Sequence, residues 1–120
     1  KLRRQLAFQA AMALRDPPLA RPVVQLRAMD KITARMTSIR VPVGQAIEFG
    51  TLTIASRACY ENPPTETPES ASFLEIIDKP VARQPYNVFA GWMFASSPAL
   101  SAMDHPIYDV WVEGCVTAGS

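Results

Sequence analysis

The chain has 120 residues, of which 48% are apolar and 19% charged, and its formal net charge is +1. That composition excludes a disordered chain and leaves no electrostatic footprint for nucleic acid. No apolar run approaches the length needed to span a bilayer, and the length allows one domain with a modest core that an extra covalent link would help.

The first stretch, "KLRRQLAFQAAMALR", carries four basic residues and no acid before Asp16. Leu2, Leu6, Ala10, Ala13 and Leu14 fall on one helical face, so the segment predicts a basic amphipathic helix. Two readings stand: a mitochondrial presequence or what remains near one, and a basic surface helix packed on its own domain or a neighbour. Pro17 and Pro18 stop the helix, because proline removes a backbone donor and restricts the residue before it. Residues 15–22 then read as a linker, which sets an N-terminal unit at 1–22, a main domain at 23–116 and a tail at 117–120.

From Val23 the texture changes. "VVQLRAM" and "ITARMTSIRV" read as strands with a turn at Asp30 and Lys31, and "PVGQ" breaks the chain again. "AIEFG" and "TLTIASRAC" follow, the second with the alternation of a half-buried strand. "YENPPTETPES" is a long loop, mobile or held by a partner, and "SFLEII" and "NVFAGWMFA" are strands on either side of the exposed "DKPVARQPY". Ser97-Pro98 is a helix-start signal, a serine cap before a proline suited to the first helical position, so a short helix is expected over "PALSAM". Pro106 forces His105 out of helix. "IYDVWVEGC" then resumes as a strand, with Tyr108, Val110 and Val112 on one face and Ile107 and Trp111 on the other. About seven short strands with one short helix predict a mainly β fold, a small barrel or sandwich, preceded by the N-terminal helix. Trp92, Phe94 and Trp111 are expected to be largely buried in it.

The segment from Gly91 to Cys115 is rich in reactive groups, and a serine–histidine–aspartate site built from Ser97, Asp104 and His105 has to be weighed. Adjacent side chains rarely meet productively, there is no nucleophile-elbow glycine pattern, and Ser97 serves better as a cap. His105 is read as a structural, hydrogen-bonded histidine. One histidine and two cysteines without a CxxC match no zinc spacing, and no phosphate-binding glycine loop is present, so no metal, cofactor or catalytic residue is expected. Cys59 and Cys115 each fall at the end of a strand. From the residues alone, a disulfide and two buried free thiols are equally open.

The stretches "LRAMDKITARMTSIRVPVGQAIEFGTLTIASRACYENPPTETPESASFLEI" and "FAGWMFASSPALSAMDHPIYDVWVEGC" resemble a family catalogued only as a domain of unknown function, DUF2155, found chiefly in alphaproteobacteria. Members resemble exported proteins, which implies that Cys59 and Cys115 are joined in an oxidising compartment. The family brings no catalytic residues to carry over. Its resemblance to accessory proteins around respiratory complex I implies a non-catalytic accessory, or supernumerary, subunit of a membrane respiratory assembly. The site implied is the bacterial periplasm, or the intermembrane-space side of the mitochondrial inner membrane, which the basic helix in place of a signal peptide would suit. The expected partners are protein subunits, contacted by Arg3, Arg4, Leu6, Phe8 and Arg15 of the helix and by the Glu61–Ser70 loop, with possible lipid headgroup contact through the same helix. The alternative is a free periplasmic or envelope binding protein with a pocket lined by Trp92, Phe94, Tyr108 and Trp111.

Overall fold

A computed structural model describes residues 3–4, 7–9, 15–97 and 103–117. Its strands are β1 (Leu19–Ala20), β2 (Val23–Asp30), β3 (Arg35–Pro42), β4 (Ala46–Phe49), β5 (Leu52–Glu61), β6 (Ser70–Asp78), β7 (Tyr86–Phe94) and β8 (Tyr108–Val116). They form two antiparallel sheets. One runs β1-β5-β6-β7 with β4 also paired to β5, and the other runs β3-β2-β8. The fold is thus mainly β and a sandwich; no barrel closes.

The core lies between the sheets. Leu52, Ile54, Leu74, Ile76 and Met93 from the first meet Val24, Leu26, Val41, Val110 and Val112 from the second. Each such side chain stabilises the fold by about 1.5–3 kcal/mol on burial. The β2–β3 turn lies later than expected. Asp30 Oδ1 accepts the N–H groups of Ile32 (2.9 Å) and Thr33 (3.3 Å), which rolls the chain over, and Ala34 closes the turn at φ 58°. At the β4–β5 turn Gly50 has φ 60°, and the Tyr108 ring packs where a side chain would stand, so only glycine fits.

Two bulges decide what the cysteines do. Along β5, Leu52, Ile54 and Ser56 face the core, and strict alternation would turn Cys59 outward. The pairing with β6 slips between Ser56 and Ala58, which flips the rest of the strand and turns Cys59 in. The β2–β8 pairing slips between Gln25 and Leu26, so Glu113 is passed over and Cys115 comes opposite Val24 on the inner face. Cys59 and Cys115 are therefore bonded across the two sheets, with α-carbons 5.9 Å apart. Beside the first bulge, buried Ser72 donates to the freed Ala58 carbonyl (2.7 Å) and pairs with Ser56 (3.0 Å).

The same flip exposes an aromatic outer face on the larger sheet: Tyr60, Phe73, Trp92 and Phe94, with Ala58 and Ala71. The N-terminal segment covers it. Residues 3–4 and 7–9 are helical, and Phe8 is fully buried, its ring centroid 5.8 Å from those of both Tyr60 and Trp92. This corrects the expectation that Phe8 seeks another chain: the sheet has a second apolar face, and the helix is its lid. Leu6 lies outside the described residues. The proline-broken segment is also more than a linker. Pro17 and Pro18 prevent helix but favour extended backbone, and β1 starts directly after them and pairs with the end of β5. Phe8→Ala is expected to undock the helix while leaving the sandwich folded. Hydrogen exchange should then rise at residues 3–4 and 7–9 and Trp92 fluorescence should shift to the red, with the main melting transition retained.

Candidate functional site

Two buried polar residues of the described structure, His105 and Asp78, meet at one end of the sandwich. His105 (3% exposed) enters β8, and Asp78 (4% exposed) ends β6. His105 Nδ1 accepts the backbone N–H groups of Ile107 (3.0 Å) and Tyr108 (3.1 Å), which requires its lone pair. The ring proton therefore sits on Nε2, which donates to Asp78 Oδ2 at 2.7 Å. Thr51 Oγ1 donates to Asp78 Oδ1 (2.6 Å) and Tyr86 O–H to Oδ2 (3.0 Å). Burial alone would raise the pKa of Asp78, but the hydrogen bonds from His105, Thr51 and Tyr86 outweigh it and hold the carboxyl below its ordinary 3.8. Tyr86 is pushed up, by partial burial first and then by donating to that carboxylate.

One carboxylate thus ties together the β4–β5 turn, the end of β6, the start of β7 and the entry to β8. The local reasons are plain: Pro106 holds His105 extended, and the strand ends bring Thr51, Asp78 and Tyr86 to the same level. Both ring nitrogens are committed, so this histidine has no lone pair to offer a serine hydroxyl in this arrangement. Its carboxylate partner is Asp78 rather than the exposed Asp104. Sequence reading missed Asp78, Thr51 and Tyr86, because an aspartate before Lys-Pro reads as a turn former and nothing in the spacing links it to His105.

The other predicted residues land as follows. Ser97 is half-buried and donates its N–H to the Phe94 carbonyl at 3.2 Å. Pro98 and the short helix expected after it lie outside the described residues. It is the neighbouring Ser96 whose hydroxyl and N–H bond the Glu69 carboxylate. Trp92, Phe94 and Trp111 are half-buried rather than largely buried. Trp92 and Phe94 lie against Phe8, Tyr108 against Phe49 and His105, and Trp111 alternates with the core-facing Val110 and Val112 on the smaller sheet. The four aromatics expected to line one pocket therefore do not meet. Arg4 lies over the Phe73 ring, 5.1 Å from its centroid, while Arg3 and Arg15 are exposed.

A groove of about 590 Å³ runs beside the helix, bordered by Arg4, Arg21, Arg57 and Tyr60. Arg21 and Arg57 are each paired at 2.6 Å, with Glu61 and Glu75, so most of the groove's positive charge is already compensated. The proline-rich loop is held by its own chain: Asn62 donates to the Thr67 carbonyl (2.5 Å) and Thr65 to Asp16 (2.5 Å). Among the described residues no cluster of three or more His, Cys, Asp or Glu could hold a metal ion, and no helix is long and apolar enough to cross a membrane.

No solved structure matches the chain. An uncharacterised protein of Rickettsia prowazekii (strain Madrid E) is 31% identical over 88 residues, which is 73% of this chain and 57% of that protein. The chain thus spans little more than half the length of this relative. The model of the family described as "Uncharacterized protein conserved in bacteria (DUF2155)" matches residues 24–115, from the second strand to the second half of the disulfide, and the chain belongs to that family.

Proposed function

We propose that the chain is a non-catalytic accessory subunit docked on the oxidising face of a membrane assembly. That face is the periplasmic side in a bacterium or the intermembrane-space side in a mitochondrion, and the assembly is respiratory complex I. The observation that carries the reading is the Cys59–Cys115 bond, which joins two sheets through the core of a small domain. Such a bond persists where the compartment is oxidising, and it suits a domain whose own core is modest. The polar groups support the non-catalytic part: His105, Asp78, Ser56 and Ser72 spend their hydrogen-bonding capacity on one another, on Thr51 and Tyr86, and on the backbone. The helix is occupied at Phe8, so docking falls to the exposed Arg3 and Arg15 and to the connecting loops. Native gel electrophoresis of detergent-solubilised membranes tests the reading. The protein should run in a band far heavier than the free chain and together with NADH:quinone oxidoreductase activity. Migration only as the free chain would overturn it.

A further inference from the structure

Strand direction puts four connections at the His105 end of the sandwich: the β2–β3 and β4–β5 turns, the β6–β7 connection and the entry to β8. They are tied to one another. The Lys31 N–H donates to the Ile107 carbonyl (2.7 Å), Lys31 Nζ to the His105 carbonyl (2.7 Å), and the Lys79 N–H to the Thr51 carbonyl (2.8 Å).

Of the large apolar side chains left exposed among the described residues, all but Leu19 lie toward this end: Ile32 (76%), Met36 (51%), Ile77 (38%), Val81 (100%) and Tyr86 (42%). Ile32 and Val81 stand on separate connections, and each has its own cations and no acid within the connection. Lys31 and Arg35 flank Ile32, and Lys79 and Arg83 flank Val81. The acids of this end lie outside both connections. Asp30 accepts from the β2–β3 turn, Asp109 lies 3.9 Å from Lys31, and Asp78 is buried; Asp104 and Glu48 are exposed, on the entry to β8 and on β4.

We propose that this end of the sandwich lies against a membrane with anionic headgroups. Val81 and Ile32 enter the boundary between headgroups and acyl chains, and Lys79, Arg83 and Arg35 meet lipid phosphates. Lys31, held on the His105 carbonyl and close to Asp109, adds little to this. A protein interface concentrates its energy in a contiguous centre that is fully desolvated. Isolated aliphatic side chains on separate loops, each flanked by cations, suit a soft surface whose apolar layer lies beneath negative charge. Tyr86 lines the same concavity as Val81, and tyrosine is enriched at headgroup depth. The inference goes beyond the accessory-subunit reading and does not rest on it, since a protein free of any assembly would carry the same surface.

Sedimentation of the purified full chain with vesicles tests it, using phosphatidylcholine alone and an equal mixture of phosphatidylcholine and phosphatidylglycerol. The mixed vesicles should carry the protein down and the neutral ones should not, with binding weakened by salt. Lys79→Glu with Arg83→Glu should reduce partitioning by about tenfold or more. Ile32→Asp with Val81→Asp should abolish it while leaving the melting temperature unchanged, because both side chains are solvent-exposed. Arg3→Glu with Arg4→Glu should leave it nearly intact. The proposal falls if the wild-type chain stays in the supernatant with anionic vesicles, if the tip variants bind as well as wild type, or if only the Arg3 and Arg4 changes release it.

Discussion

Asp78→Ala is expected to cost about 2–5 kcal/mol, since each buried donor left unpaired costs about 1–3 kcal/mol, and that is a large share of the stability of a domain this size. The change removes one carboxylate but strands several donors. His105 Nε2–H and Thr51 O–H lose their acceptor, and the histidine is buried away from water. An unmade hydrogen bond at such a site costs more than a made one contributes. Asp78→Asn separates shape from charge. Its amide oxygen can accept from His105 and Tyr86, and its amide nitrogen can donate to the Thr51 hydroxyl, so the cost should be smaller.

The two variants also differ from wild type in acid. The Asp78 carboxyl is held below 3.8 in the folded protein, so the folded state binds its proton less readily than the unfolded chain does. Its contribution is complete above the unfolded value and declines as pH falls through the folded one. Wild-type stability should therefore drop steeply below about pH 4, and Asp78→Asn should flatten that part of the curve. Urea denaturation at neutral pH and at pH values below that point measures both effects. An equally steep acid loss in the Asn variant would show that other carboxylates govern it.

Replacing Cys59 and Cys115 together by alanine is the second large effect. The bond spans 56 residues of sequence, and releasing a loop of that length costs about 4 kcal/mol in the chain-entropy account. The consequence reaches beyond entropy. The bond holds the ends of β5 and β8 together, at the level where both strands have bulged. Without it the disulfide end should open first, while the end clamped by Asp78 stays closed. Hydrogen exchange along β5 should show the gradient, with protection lost at Ala58–Glu61 before Leu52–Ser56. Equal loss along the whole strand would mean that the sandwich opens as one unit. Reducing the wild-type protein should reproduce the variant.

Much of the strand plan was legible. Leu52 and Ile54 alternate with polar neighbours, and proline and glycine mark most of the breaks, so the β class follows from local pattern. Boundaries slipped where a side chain decides them, as at Asp30, whose carboxylate carries the turn three residues onward. β1 was not legible, because two extended residues have no signal of their own and exist as a strand only by pairing with Tyr60 and Glu61. His105 could be read as hydrogen-bonded at a corner. Its partner could not, since Asp78 is 27 residues away and belongs to another strand end.

Local pattern is enough to make the chain strand-rich, to set most of its breaks and to put two thiols near strand ends. Which face those thiols take depends on how the strands pair. A bulge adds one residue to one strand of a pair, and its place depends on the partner strand, so no window of local sequence contains it. The same slip turned Tyr60 outward and made the apolar face that Phe8 covers. An amphipathic helix declares from its own residues that it needs a cover. Whether the cover is another chain or the back of its own sheet depends on a surface assembled from β5, β6 and β7, which exists only after those strands have paired.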